Sequence, residues 1–370
     1  MTKIGVILST YGEPTRNSFA EQWMYSYRIL RRLTRKIAKI PSPLLPIIAT
    51  ARGIQRVKAW KAEDFVSQLE PLTLATVELV KRQLEARGLG AQQLVVREAW
   101  EFRRPNLTDV FTDLHKAGCS QFHVVPMYMG GGDFTKGMTA IAIEDAVNTL
   151  PWLSYNDIEY VELTSSPARL DRLADVFADF VREEANRRGV SLPAKDWAVC
   201  LAAHGSVQTP PEGVDNGVIS FGELCWRIYK RLGNQFGIAR NGWLNHTRGG
   251  RWTEPSVERL LPRLREAGYS KLMYVPWGFT TDNAESALEG KVFCREMENP
   301  FERVEHLPCM NTHPAFIEFL ADLVYASVTG TTPAWESANI TPAATPAAMN
   351  HETPAAHAAE LEHAMVEAAR

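Results

Sequence analysis

The sequence is short of several things, and each shortage removes a class of function. Its five cysteines, Cys119, Cys200, Cys225, Cys294 and Cys309, are scattered with no C-x-x-C pair. That argues against a disulfide framework or a zinc ribbon and for a reducing compartment. Forty basic residues nearly balance 43 acidic ones, leaving a net charge of -3, so a nucleic-acid partner held by bulk positive charge is not expected. No apolar run reaches membrane-spanning length, and the N-terminus enters a strand, Ile4 to Leu8, where a signal peptide would stand. A cytoplasmic location is the expectation. No P-loop lysine follows the glycines at 130–132, and the strand–Gly–helix pattern of a dinucleotide site is missing, so no nucleotide is expected.

What is present is an alternation of strand and helix patterns over 370 residues, 45% of them hydrophobic, enough for two α/β domains with full cores. The stretch Trp197-Ala198-Val199-Cys200-Leu201-Ala202-Ala203-His204-Gly205 reads as a buried parallel strand, because an apolar run without polar alternation needs both faces covered. It delivers one imidazole to its C-terminal end, where open α/β sheets place their chemistry. Taken alone, His204 reads more readily as a satisfied core histidine. Lys271 to Val275 is a second such strand, leading through Pro276-Trp277-Gly278-Phe279 into a helix whose first turns carry Asp282, Glu285 and Glu289. Carboxylates there also serve plain capping and dipole complementation.

The two halves repeat. Leu114-His115-Lys116-Ala117-Gly118-Cys119-Ser120 precedes Val125-Pro126 as Leu264-Arg265-Glu266-Ala267-Gly268-Tyr269-Ser270 precedes Val275-Pro276, with the prolines 150 residues apart. Tyr11-Gly12 corresponds to His204-Gly205 at a separation of 193. The expected fold is therefore α/β: two similar Rossmann-like lobes, residues 1–165 and 166–328, each a parallel sheet flanked by helices, with a cleft between them. The larger offset puts roughly forty extra residues in the first lobe. They match a helical lip at about 15–65, where a helix from Ser18 to Ile40 sets Trp23, Met24, Tyr25, Tyr27 and Leu30 beside Arg28, Arg31, Arg32, Arg35 and Lys36. A proline-broken apolar segment, Pro41 to Ile48, follows it. This stripe is either a solvated helix packed on a core or a lid for a flat, anionic, aromatic ligand, since rings stack and guanidinium groups pair with carboxylates. Gly130-Gly131-Gly132-Asp133 is either a close approach of backbone to ligand or a flexible connection. His246 reads as a loop residue, and 329–370, rich in Ala, Pro and Thr, as a flexible tail with a short helical end near Ala358 to Ala369.

Over roughly residues 3 to 328 the chain resembles the ferrochelatase family. The likeness is carried by Gly5-Val6-Ile7-Leu8 with Tyr11-Gly12-Glu13-Pro14, Glu70-Pro71-Leu72 with Thr76, Ala203-His204-Gly205 and Trp252 with Pro255. Above all it is carried by Val275-Pro276 with Gly278-Phe279, Asp282, Glu285, Leu288 and Glu289. The chain departs from the family pattern at Asn283, where His is usual, in the glycine-rich turn after Pro126, and after His204, where a Gly-Asp-Pro-Tyr run is usual.

The resemblance implies a porphyrin metal chelatase, a lyase of haem biosynthesis that takes ferrous iron and protoporphyrin IX or coproporphyrin III as substrates. It implies His204 and Glu285 as catalytic and metal-handling residues, facing each other. Tyr11, Tyr25, Arg28 and Trp252 are the expected porphyrin-binding residues, and Tyr11 is similar to the tyrosine of the coproporphyrin-using branch. No tightly bound cofactor and no iron–sulfur cluster are expected. A peripheral membrane contact and the oligomeric state stay open. The chemistry suits the residues: imidazole is both a ligand for ferrous iron and a base near neutral pH, and a carboxylate opposite it can relay protons. Tight walls would favour a bent macrocycle over a flat one. Two alternatives remain at this point: a sirohydrochlorin-type cobalt or iron chelatase, suggested by the glycine turn, and a non-catalytic porphyrin or haem carrier, suggested by Asn283.

Overall fold

The computed structural model describes residues 3–36, 39–90, 92–245, 251–297 and 300–337. The chain opens with β1 (Lys3–Thr10), α1 (Phe19–Lys36), α2 (Leu44–Ala62), α3 (Leu69–Ala86), β2 (Leu94–Trp100), α4 (Leu107–Lys116), β3 (Cys119–Pro126), α5 (Lys136–Thr149) and β4 (Ile158–Tyr160). It continues through α6 (Pro167–Arg187), β5 (Ala194–His204), α7 (Val218–Leu232), β6 (Phe236–Leu244), α8 (Val257–Glu266) and β7 (Lys271–Pro276). A π-helical stretch, Ala284–Glu289, then runs into α9 (Gly290–Glu296), β8 (Arg303–His306), α10 (Pro314–Thr329) and α11 (Ala334–Ser337).

The strands form two four-stranded sheets, ordered β2-β1-β3-β4 and β6-β5-β7-β8, with every pairing parallel. Their apolar runs explain this: Val6, Ile7 and Leu8 in β1 and Ala198 to Ala203 in β5 are buried, as strands covered on both faces must be. The expected fold class is what the chain adopts. β2 is an edge strand, bonded to β1 alone. An edge can place Arg97, whose side chain is 38% exposed, towards water without losing its ladder.

The identical strand order makes the repeat a matter of topology, with β1 matching β5 and β3 matching β7. The surplus in the first lobe is α1 and α2, which have no partner between β5 and β6. Here the expected break from Pro41 to Ile48 is corrected: α2 begins at Leu44 and carries Pro46 in its first turn, where a missing N–H costs nothing because that turn has no partner for it. Trp23, Tyr27, Leu30, Leu45, Ile48 and Ala49 make a small core of their own between the two helices. Trp23 stacks on Tyr27 at 5.2 Å and donates Nε1–H to Thr50 Oγ1 at 3.1 Å.

The lobes are not separate bodies. One apolar cluster runs from Val6, Leu8 and Val125 through α6 and α7 to Val199, Leu201 and Val275. α10, at the end of the second lobe, packs back on α3 of the first, where Asp322 pairs with Arg87 at 2.7 Å and Ser327 meets His123 Nδ1 at 2.7 Å. Of the segment expected as tail, α11 is docked: Trp335 Nε1 donates to Asp322 at 2.8 Å, and Glu336 accepts from Ser166 Oγ at 2.8 Å. Residues 338–370, with the anticipated terminal helix, and His246 lie outside the described residues. Among those described, no helix is long and apolar enough to cross a membrane.

Candidate active site

β5 ends on His204, half-buried, whose Nδ1 lies 2.6 Å from the Gly205 carbonyl oxygen. A carbonyl only accepts, so Nδ1 donates this bond, and in the neutral imidazole the lone pair, which serves as base or ligand, is then on Nε2. The exit of the neighbouring strand β7 is held close by Gly278, where a Cβ would stand 2.7 Å from Ala203 Cβ. Trp252 flanks the loop after His204 through a backbone bridge to Val207, reinforced by Thr253 N–H to the Ser206 carbonyl at 2.9 Å.

Glu285 sits in the first turn of the π-helical stretch. Asn283 caps that turn, its Oδ1 accepting from Glu285 N–H at 2.8 Å and Ser286 N–H at 3.1 Å. The departure from histidine at this position thus serves a buried N-cap. Gly290 N–H reaches back to the Glu285 carbonyl, an i+5 bond that widens the turn, a geometry found mostly at functional sites. The first lobe grips the same end: both oxygens of Glu13 accept from Ala284 N–H at 3.1 Å, while Ser67 Oγ donates to Glu13 at 2.8 Å. Asp282 ties the turn down, accepting from Cys309 N–H at 2.8 Å and Asn311 Nδ2 at 2.7 Å.

Charge couples the two lobes here. Burial pushes the Tyr11 phenol well above its ordinary range, and the nearby carboxylates of Glu13 and Glu285 push it further. Tyr25 is raised by burial and by the same two acids, against the pull of Arg56, which lies 4.8 Å over its ring. Glu13 is raised by burial although Arg56, Ser67 and Ala284 oppose it. Arg52 is lowered by burial and by Arg56. The fold therefore brings Glu285, Tyr11 and Tyr25 together, with His204 and Trp252 at the adjoining strand end. Arg28 is placed differently: its Nη1 donates to the Phe102 carbonyl at 3.1 Å, and its charged neighbours are Arg104 and Asp109.

Other lip cations also hold structure. Arg32 Nη1 donates to the Met138 carbonyl at 3.1 Å, Arg35 pairs with Asp145, and Lys36 pairs with Asp133 at 2.7 Å. Two cations of α2, four residues apart on one face, do reach this end of the site: Arg52 lies in the field of Glu285, and Arg56 pairs with Glu13 at 3.8 Å. Sequence reasoning missed them because within the lip it named only the helix from Ser18 to Ile40; an arginine repeat at helical spacing was the available signal. Glu13, quoted only for the family likeness, and Glu101 and Tyr128 were missed as well.

The glycine turn is a joint between lobes. A Cβ on Gly130 would lie 2.3 Å from the Phe221 ring of α7, and one on Gly217 1.9 Å from the Gly131 carbonyl. Gly131 N–H donates to Ser220 Oγ at 2.6 Å. Tyr128 bridges to Phe279, and Thr280 Oγ1 donates to the Met127 carbonyl at 3.1 Å. Only glycine allows backbone to approach backbone and ring this closely.

Among the described residues no three His, Cys, Asp or Glu side chains gather as a metal cage. A family model described as Ferrochelatase matches residues 3–328. Ferrochelatase of Gloeothece citriformis (strain PCC 7424) is 23% identical over 335 residues, covering 89% of this chain and 84% of that protein. The ferrochelatase of Parasynechococcus marenigrum (strain WH8102) is 26% identical over 352 residues, with the same coverage of 89% and 84%. Among solved structures, SirB from Bacillus subtilis with Fe3+ is similar at 11% identity and a TM-score of 0.47, covering 89% of this chain and 97% of that one.

Proposed function

The chain belongs to the ferrochelatase family, its reaction is the insertion of ferrous iron into a porphyrin, and from that premise we propose which residues carry it. The observation that supports the assignment is Glu285, set on a widened helical turn of one lobe with its charge acting on Tyr11 and Tyr25 of the other. It lies one strand away from the end that carries His204.

Insertion removes two pyrrole N–H protons as the four nitrogens take up Fe2+. His204, with Nδ1 committed to the Gly205 carbonyl, offers Nε2 as the base or the hand-over ligand. Glu285 takes part in metal hand-over and proton release. Tyr11, Tyr25 and Trp252 form the walls against the macrocycle, and burial keeps the two phenols neutral. Iron is substrate here, with no resident cofactor or iron–sulfur cluster; the iron content of protein purified without porphyrin checks this.

The sirohydrochlorin alternative rested on the glycine turn, which is occupied in joining the lobes. The carrier alternative rested on Asn283, which caps the Glu285 turn. An anaerobic assay with ferrous iron and, separately, protoporphyrin IX, coproporphyrin III and sirohydrochlorin tests the assignment. His204→Ala is expected to lower turnover by about 100-fold or more while porphyrin binding persists; full turnover in that variant would overturn the role given to His204.

A further inference from the structure

Glu101 is a carboxyl the mechanism above does not use. It follows β2, its N–H bonded to the Thr10 carbonyl at 3.0 Å, so it stands beside Tyr11 at the C-terminal edge of the first sheet. It is 6% exposed. Oε1 accepts from Thr139 Oγ1 of α5 at 2.5 Å. Oε2 is buried and takes no hydrogen bond of good geometry from any described residue, although the Tyr128 hydroxyl faces the carboxylate and feels its charge. Tyr128 is half-buried at the lobe joint, and its ring stacks on Tyr11 at 6.4 Å with an interplanar angle of 22°. Tyr11 in turn lies in the field of Glu285. A row of titratable side chains thus runs from the acid of the second lobe, through two phenols, to a dry acid deep in the first.

Resting on the iron-insertion reading, we propose that Glu101, reached through the hydroxyl of Tyr128, accepts one of the two protons the porphyrin releases. The pyrrole N–H bond breaks and its proton joins Tyr128 Oη, while the Tyr128 O–H proton passes to Glu101 Oε2. The electron pair stays on the pyrrole nitrogen, which then bonds Fe2+. Tyr128 ends as it began, and Glu101 ends protonated and later yields its proton to solvent.

Such an acceptor needs a proton affinity well above an ordinary carboxylate's. Burial pushes Glu101 up to about 7, against the downward pulls of Thr139, Arg32 of α1 and Tyr128. Tyr160 of β4 also lies in its field, itself raised by burial and by the acids Glu162 and Glu101. A carboxyl poised there accepts and returns protons at working pH, whereas a solvated one would hold them too weakly.

The test uses the full chain, anaerobically, with ferrous iron and whichever porphyrin the wild type turns over. Glu101→Gln keeps an oxygen for Thr139 but cannot take a proton. It is expected to lower kcat by about 10-fold or more, to leave porphyrin affinity unchanged, and to erase the rise of activity with pH through about 7. Tyr128→Phe should lose the same limb, and Glu101→Asp should restore part of it. Wild-type kcat and pH profile in Glu101→Gln would overturn the proposal. So would a loss confined to porphyrin affinity and melting temperature with the pH limb intact. Failure of the wild type to insert iron at all would instead sink the functional reading beneath it.

Discussion

The two lobes share one strand order and put different chemistry at the same place. Where β5 ends in the imidazole of His204, its counterpart β1 ends in the phenol of Tyr11. The first lobe's edge carries Tyr11, Tyr128, Glu13 and Glu101, all shifted towards their neutral forms by burial. The second lobe's edge presents the His204 imidazole and, on a widened turn, the Glu285 carboxyl, both half-buried. The first lobe alone carries α1 and α2, whose Tyr25 and Arg56 pack on each other beside Glu13. A repeated parallel sheet therefore supplies two aligned edges, and the loops beyond the strands decide which edge is dry and which handles charge.

The comparison breaks most sharply if the acid on the turn is disarmed. Glu285→Gln should cost about 100-fold in kcat with little change in melting temperature. Arg28→Ala, whose guanidinium is bonded to the Phe102 carbonyl, should change kcat only a few-fold. Equal losses in steady-state kinetics would mean that the lip works directly on the substrate.

A smaller effect concerns the dry edge. Glu101 titrates higher in the folded protein than its ordinary value of 4.5, at about 7. The folded state therefore binds the proton more tightly, and the stability this confers is complete below the unfolded value and lost as pH rises through about 7. Glu101→Gln should accordingly stabilise the protein at pH 8 relative to pH 5 by about 2 kcal/mol. Urea unfolding at the two values checks this; a pH-independent difference would contradict it.

The joint gives the smallest change. Gly130→Ala drives a methyl into the Phe221 ring and should destabilise by about 1–2 kcal/mol. Gly222→Ala, inside α7 with nothing within 4 Å, should stabilise by about 0.5–1 kcal/mol. Chemical denaturation of the pair separates a glycine needed for contact from one that is not.

Much of this was legible in the residues. Continuous apolar runs marked β1, β5 and β7. The 150-residue spacing, repeated in the strand order, revealed the two lobes. The lip was harder. Its aromatic and basic stripe fitted either packing or ligand binding, and α1 uses Trp23 and Tyr27 against α2 while Tyr25 packs under Arg56 and feels the charge of Glu285. Helical period says which residues share a face but not what faces them. The polar partners across lobes left no local signal, since Glu13 meets Ala284 from 271 positions away.

The sequence by itself determined the strands, the duplicated α/β plan, the imidazole at a strand end and the family likeness, because burial on both faces and strand–helix alternation are written in local pattern. Tertiary structure decided which acids are dry, which cations are committed to the scaffold, and that the glycine turn joins lobes. Those properties depend on what packs against a side chain from elsewhere in the chain, and a proton's affinity for a carboxyl is set by that surrounding dielectric and charge.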